Sequence, residues 1–531
     1  MIDATSRVKI LCVRARLNPA CGAVLAAAVD EWMHALALHC DVEMIEEDFD
    51  LIEVYERVKP DFLLFDAIHW GRRHPLNITN IDAYPDLPRA LLANSDPHDP
   101  MRPLMWDMLP TYGIDTIFCT GREDLEQMKE LRRFNCFVLP KFIDSAVFRD
   151  YGETRIIPVA IMSAHLFPTF YPWRAKVTEE IQLVIPSLLY THPGYGAGGG
   201  NTFEIRDEAY AQMLSRSQFC VADTTALDYV VRKHLEIPAA GSVLVAPASS
   251  ALADYGFVDL ENCILGPADI DLYKKIALVA RDPQRYERIR ANGHALVHGR
   301  YTRHTWTHIL DWFACRRALK AGEKVQQDGV FGSFRAVPAA AGPIDAPAIA
   351  NYSVSDNPMA VRLRAAREAL LGEGDLKSAV DGLRESMGWI YHVAEPWFMM
   401  GVVSFVLGDL ENARAWLLKR SDAQHKDDPA LALLDPCEIA WLMLVAYLTA
   451  DEDLFQRMSD AAAATSHVSI RRVQWLIDGA QPVADLAAAG LDQPWPGDRM
   501  SIHWLGDEDF DSWFGMIQRG LTAQAGVARA A

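Results

Sequence analysis

Between Asp228 and Pro247 the chain reads "DYVVRKHLEIPAAGSVLVAP", which sets Asp228 and Glu236 eight residues apart with Arg232 and Lys233 between them. The segment predicts a short acidic loop, a helix, a glycine stop at Gly241 and a buried strand over "SVLVAP". In an α/β protein such a loop-to-helix entry can hold an anionic nucleotide, because free N–H groups and the helix dipole favour phosphate there. Cations in the first helical turn oppose the dipole unless an anion sits beside them, so Arg232 and Lys233 point to a phosphate or, failing that, to a surface ion pair. The plainer reading of the two carboxylates is a helix-entry Asp228 near the N-cap and an exposed Glu236.

Other stretches carry weaker signals. "NSDPHDP" sets His98 between Asp96 and Asp99 in a proline-rich loop, where neighbouring carboxylates would raise its pKa and suit it to act as a base. A hydrogen-bonded loop histidine is the alternative. The run "GYGAGGGN", Gly194 to Asn201, could wrap a ligand or lie free on the surface. It fits neither the dinucleotide fingerprint nor the P-loop pattern. DxD triplets begin at Asp48, Asp269 and Asp451, but three scattered copies in an acidic chain carry little weight as a metal–diphosphate site. Arg300, Arg303 and His304 in "HGRYTRHTW" read as a solvated helix start.

The elements that must position these residues follow an α/β rhythm. "VKILCVRARL", "VEMIEED", "PDFLLFDAIH", "IDTIFCT" and "CFVLP" read as short apolar strands, with helices over "AVLAAAVDEWMHALALH" and "REDLEQMKELRRF". That alternation predicts a parallel, doubly wound sheet. An irregular stretch "LPKFIDSAVFRDYG" reads as a connection. The pattern then restarts with the strand "IIPVAIMSA", the helix "WRAKVTEEIQ", the helix "DEAYAQMLSRS" and the strand "QFCVADT". Two Rossmann-like halves, 1–150 and 151–317, are expected to face a cleft, and ligands bind such sheets outside their strand ends.

Length and charge bound the partners. At 531 residues the chain exceeds one ordinary core, and its net charge of −20 argues against a duplex-binding surface. Nine scattered cysteines with no CxxC arrangement support neither structural zinc nor a disulfide framework. The charged N-terminus excludes a signal-peptide core, and no uncharged apolar run reaches the roughly 18 residues of a membrane span. A cytoplasmic protein without a metal or resident cofactor is expected.

Residues 318–357 are rich in Ala, Gly and Pro and read as a linker. Beyond it "GDLKSAVDGL" from Gly374 recurs as "GDLENARAWL" from Gly408, so that Gly374/Gly408, Asp375/Asp409, Leu376/Leu410, Ala379/Ala413 and Leu383/Leu417 are all 34 residues apart. A period of 34 with a small residue inside the second helix resembles the tetratricopeptide repeat, expected over 358–480 and followed by a tail over 481–531. A plain helical bundle is the alternative. Short solenoids of this kind usually bind protein.

From about Pro158 to Trp312 the chain resembles the C-terminal half of GT-B glycosyltransferases, in particular the CgeB-like group related to the family-4 retaining enzymes. The resemblance rests on "YPWR", "HPGY", "DEAYAQMLSRSQFCVADT", "RKHLEIPAAGSVLVAP", "YKKIALVARDPQRYERIRANGHALV" and "YTRHTW", with "VLPKFIDSAVF" similar to the family's hinge. It covers roughly the first 315 residues at uneven strength, and "LEIPAAG" is its most specific part. Asp228-x7-Glu236 matches the family's acidic-x7-Glu motif. The resemblance implies that Glu236 holds the ribose hydroxyls of a nucleoside-diphosphate sugar, that Asp228 faces the donor sugar, and that Lys233 and Arg232 sit near the diphosphate. Arg174 in "YPWR" and Tyr195 in "HPGY" join the implied donor site, and His98 would then orient the acceptor. One departure stands out: the loop glycine usual before the helix is Val231 here.

The implied activity is glycosyl transfer from a nucleoside-diphosphate sugar, with retention and without metal, to a protein or surface glycan, the repeats binding the acceptor or another protein. The competing reading is a scaffold whose transferase fold is degenerate and whose repeats do the binding. A third is a different nucleotide-sugar enzyme on the same fold.

Overall fold

The computed structural model describes residues 7–14, 23–66, 76–93, 102, 109–164, 170–191, 205–340, 357–372, 374–389, 394–424, 434–495, 497–506 and 508–530. The chain divides into two compact units, the first made of 1–94, 114–125 and 134–348 and the second of 95–113, 126–133 and 349–531.

The first unit holds two parallel sheets. One is built from β1 (Lys9–Val13), β2 (Asp41–Ile45), β4 (Phe62–Asp66), β6 (Arg89–Ala93), β7 (Thr116–Cys119) and β8 (Asn135–Val138), in the order β2-β1-β4-β6-β7-β8. A two-residue pair, β3 (Phe49–Asp50) with β5 (Ile78–Thr79), lies apart from it. All five residues of β4 and of β6 are buried, and all but Asp66 and Arg89 are apolar, the pattern of strands covered on both faces. Helices α1 (Ala23–Ala37) and α2 (Leu51–Val58) follow β1 and β3.

The second sheet contains β9 (Ile157–Ala164), β10 (Ser187–Thr191), β11 (Ser217–Val221), β12 (Val243–Ala246) and β13 (Ile264–Leu265), ordered β10-β9-β11-β12-β13 and parallel throughout. Alternation along its strands feeds two cores. Ala160, Met162, Leu244 and Ala246 join one cluster, while Val159, Ile161, Val243 and Val245 join the other, as the two-residue period of a strand requires. Its helices include α4 (Pro172–Ile181), α5 (Asp207–Ser215), α6 (Lys233–Ala239), α7 (Ser250–Asp254), α8 (Ile270–Ala280) and α9 (Pro283–Arg300), and α3 (Arg122–Gln127) precedes them in the chain.

Residues read as the end of the second half serve the first sheet. Trp306, with Trp312 and Phe313 of α10 (His308–Arg317), packs in the cluster of Ile10, Phe62, Leu92 and Phe118. The Trp306 indole N–H also donates to Pro140 O at 2.9 Å. Truncating a fully buried aromatic of this size costs about 3–5 kcal/mol, so the return of the chain is firmly fixed. The span read as linker contains an antiparallel hairpin, β14 (Glu323–Gln327) with β15 (Phe334–Pro338). Its Gln327 side chain accepts from Val138 N at 2.8 Å and donates to Val138 O at 2.9 Å, capping the edge of β8. Ala and Pro content hid an edge that backbone pairing could use.

The second unit is helical: α11 (Pro358–Leu371), α12 (Leu376–Trp389), α13 (Ala394–Val406), α14 (Leu410–Gln424), α15 (Pro436–Thr449), α16 (Glu452–Ala463), α17 (Val468–Ile477) and α18 (Phe510–Ala530). Neighbours pack as hairpins, α11 with α12, α13 with α14 and α15 with α16. The 34-residue matches fall at equivalent places: Asp375 and Asp409 accept from backbone N–H groups at the starts of α12 and α14, while Ala379, Leu383, Ala413 and Leu417 are buried inside them. The stretch read as a tail carries α18, with Trp513, Met516 and Ile517 buried. Segment 126–133, read as part of a long helix of the first half, belongs here instead. Lys129 donates to His503 O, and Trp504 donates to Gln127 O at 3.1 Å. Among the described residues no helix is long and apolar enough to cross a membrane.

Candidate functional site

The segment from β11 to β12 forms the expected loop, helix and strand. Strand β11 ends at Val221, and the chain turns through Thr225 (φ 70°) and Asp228 (φ 62°), two non-glycine residues in the left-handed region. Such backbone costs of order 1–3 kcal/mol per residue and persists only where its surroundings enforce it. Here the Thr225 hydroxyl accepts from the N–H groups of Leu227 and Tyr229 at 3.2 and 3.3 Å, and Asp228 N donates to Thr225 O at 3.2 Å. Asp228 thus sits at a backbone corner rather than at a helix N-cap.

Helix α6 starts at Lys233 and ends at Ala239, with Pro238 inside it and Gly241 at φ 83° just beyond. A side chain at Gly241 would be strained by its φ of 83° and would have to displace Asp150, whose Oδ2 would stand 2.7 Å from a Cβ. Seven residues make a short dipole, so anion binding at this place depends on side chains. Val231, the residue noted before the helix, lies outside the left-handed residues. Its N–H and C=O both face His234 Nδ1, at 3.1 and 3.0 Å, so a β-branched residue is accommodated without strain.

Elements of the first sheet grip this loop at three points. The Tyr229 hydroxyl donates to Asp124, Lys141 Nζ donates to Val230 O at 2.8 Å, and Arg232 Nη1 lies 2.5 Å from Glu31 Oε2. Arg232 Nε is also 3.4 Å from Glu236 Oε1. The expected clash of Arg232 with the dipole is therefore met by two carboxylates, one from α1 and one from its own helix.

Cations collect around buried Glu236. Burial lowers the pKa of Lys233; Glu236 opposes this, while Arg174 and Arg232 add to it. Lys233 Nζ stands 5.8 Å from the centre of the Tyr210 ring, and the Arg174 guanidinium lies over Tyr171 at 3.9 Å. Arg174 itself is held by α4, whose start is capped from elsewhere: Asp223 Oδ2 accepts from Arg174 N at 2.8 Å. Two enclosed polar atoms, Tyr210 Oη and His234 Nε2, have no hydrogen-bond partner among the described residues. A buried polar atom left so costs about 1–3 kcal/mol. Burial, with Lys141, Arg174 and Lys233 close by, lowers the His234 pKa to about 3 against a hydrogen bond with Val231, so the ring is neutral.

Of the residues picked from the sequence, Arg174, Arg232, Lys233 and Glu236 come together, and Asp228 occupies the backbone corner ahead of their helix. His98 and Tyr195 lie outside the described residues. Glu31, Asp124, Lys141, Tyr210, Asp223 and His234 were missed; His234 shares α6 with Lys233 and Glu236, while each of the others lies in an ordinary helix, strand end or loop that the fold brings here. Arg303, read as solvated, pairs with Asp144. The DxD triplets supply helix caps: Asp50 for α2, Asp269 for α8 and Asp451 for α16.

No curated protein matches the chain. Several solved structures are similar to it. Sucrose-phosphate synthase from Thermosynechococcus elongatus shares 14% identity at TM-score 0.39, covering 56% of this chain and 95% of that one. HepE of Anabaena in complex with UDP and glucose shares 12% at TM-score 0.36, covering 59% and 100%. A glycosyltransferase from Rickettsia africae ESF-5 shares 10% at TM-score 0.40, covering 59% and 100%. Residues 179–313, which include the whole Asp228–Pro247 segment, match the family described as "Glycosyl transferase-like".

Proposed function

We propose that this protein is a GT-B hexosyltransferase of the CgeB-like group, moving a sugar from a nucleoside-diphosphate sugar to a protein or surface glycan in the cytoplasm. The observation that carries this reading is the gathering of Arg174, Arg232 and Lys233 about the buried carboxylate of Glu236. Departure of a nucleoside diphosphate builds negative charge, and fixed cations in a partly desolvated site stabilise it more than water does. Glu236 holds the ribose hydroxyls, Asp228 faces the donor sugar at its backbone corner, and the chemistry proceeds with retention and without metal. These roles follow from the likeness of Asp228-x7-Glu236 to the family-4 motif. The helical hairpins act as tetratricopeptide-like repeats that present the acceptor.

A thermal-shift comparison with UDP, GDP, ADP, CDP and dTDP, run on the wild type and on Glu236→Ala, tests the donor site. A nucleotide at about 100 times its Kd stabilises by roughly 2.7 kcal/mol. One nucleotide should stabilise the wild type and not the variant. No shift with any of them would sink the proposal.

A further inference from the structure

Arg232 is shared between two carboxylates of different origin. Its Nη1 stands 2.5 Å from Glu31 Oε2, its Nη2 donates to Glu31 Oε1 at 3.2 Å, and its Nε lies 3.4 Å from Glu236 Oε1. Glu31 therefore grips the guanidinium with both oxygens, the two-point geometry by which arginine also binds phosphate. It comes from α1 beside the first sheet, whereas Arg232 opens α6 beside the second.

The Glu31 carboxylate is 14% exposed, so water screens its charge weakly. Burial raises its pKa, Arg232 draws it down, and Glu236 pushes it up again. The surrounding charges include the Arg303–Asp144 pair. The Glu31 carboxylate sets a negative charge directly on that guanidinium, and this charge opposes an incoming diphosphate.

We propose that Glu31 is an internal stand-in for the donor's diphosphate, holding the fork of Arg232 until the donor arrives and competing with the incoming anion for it. This rests on the donor-site reading given above. When the anion enters, Arg232 exchanges one two-point partner for another, and Glu31 is left beside Glu236 without its cation. Part of the binding energy is spent on that exchange. A neutral side chain at position 31 removes the competitor and leaves every cation in place.

Calorimetric titration of the wild type and Glu31→Gln with UDP, GDP, ADP, CDP and dTDP, and with the matching uncharged nucleosides, tests the inference. The variant should bind the preferred diphosphate about fivefold more tightly, the scale of a partly screened charge pair. Its affinity for the nucleoside should not change. Glu31→Asp keeps the charge at shorter reach; it should bind the diphosphate more tightly than the wild type by less than about fivefold, and it stands as the test by itself if Glu31→Gln fails to fold. Diphosphate binding that is unchanged or weaker in both variants, with the wild type binding normally, overturns the competition alone. No binding by the wild type or by either variant overturns it together with the donor-site reading.

Discussion

Asp223 Oδ2 accepts the N–H of Arg174 at 2.8 Å, so a carboxylate just past β11 fixes the start of the helix that carries a site cation. Burial raises the Asp223 pKa to about 6, against the N–H groups of Arg174, Thr224 and Trp173 and the Arg174 charge. Because the folded value lies above the unfolded one, its contribution is fully present below about pH 4 and is lost as pH climbs through about 6. The loss is at most about 3 kcal/mol, the free energy of moving a proton affinity by about a hundredfold. Asp223→Asn is neutral at every pH. Its melting temperature should gain on the wild type between about pH 4 and 7; a constant difference across that range would refute the assignment.

His234 tilts the other way. Its pKa falls to about 3, chiefly through burial, so its contribution is present above the ordinary histidine value near 6.5 and is lost as pH drops towards about 3. His234→Gln should retain more of its neutral-pH stability at about pH 4.5 than the wild type does. Equal acid losses in denaturant titrations would show that folding does not lower the ring's pKa.

In the helical unit, His503 is enclosed between Glu395, at 2.6 Å from Nδ1, and Glu438, at 3.3 Å from Nε2, with Phe398 stacked on the ring at 3.9 Å. Burial opposes its charge, but Glu395, Asp435 and Glu438 outweigh it and raise the pKa to about 9. This contribution is complete below about pH 6.5 and disappears as pH rises through about 9. Removing one partner of a buried charge network costs about 3–5 kcal/mol, so His503→Leu should unfold the helical unit at lower denaturant. The difference should shrink near pH 10. A penalty that does not change with pH would mean that the ring acts through packing alone.

Gly401 lies inside α13, where a Cβ would meet Leu417 Cγ of α14 at 2.6 Å. Helix propensity favours alanine over glycine by about 1 kcal/mol, whereas overpacking costs about 1–3 kcal/mol. Sterics should win: Gly401→Ala is expected to lower stability in the wild-type background and raise it beside Leu417→Ala. A gain in stability in both backgrounds would place the helices farther apart than described.

Short-range signals made much of this protein legible. The continuous apolar runs "FLLF" and "VLVA" predict strands covered on both faces, because a strand with one wet face alternates. The 34-residue offset locates Ala379 and Ala413, because tight helix pairing needs a small residue at a fixed phase. Arg232, Lys233 and Glu236 could be picked out because they share one short helix with its loop. Hidden from the sequence were the groups that arrive from afar. Glu31 is one charged residue on an amphipathic helix, and only the packing of the two halves turns it towards Arg232. Asp223 looks like a loop residue until α4 starts against it, and 126–133 reads as a helix of the first half until His503 and Trp504 pair with it. Which segments become strands and helices was written locally, because periodicity and propensity act over a few residues. Which charges meet and which are desolvated waited on the folded chain, because both depend on segments brought together across hundreds of residues.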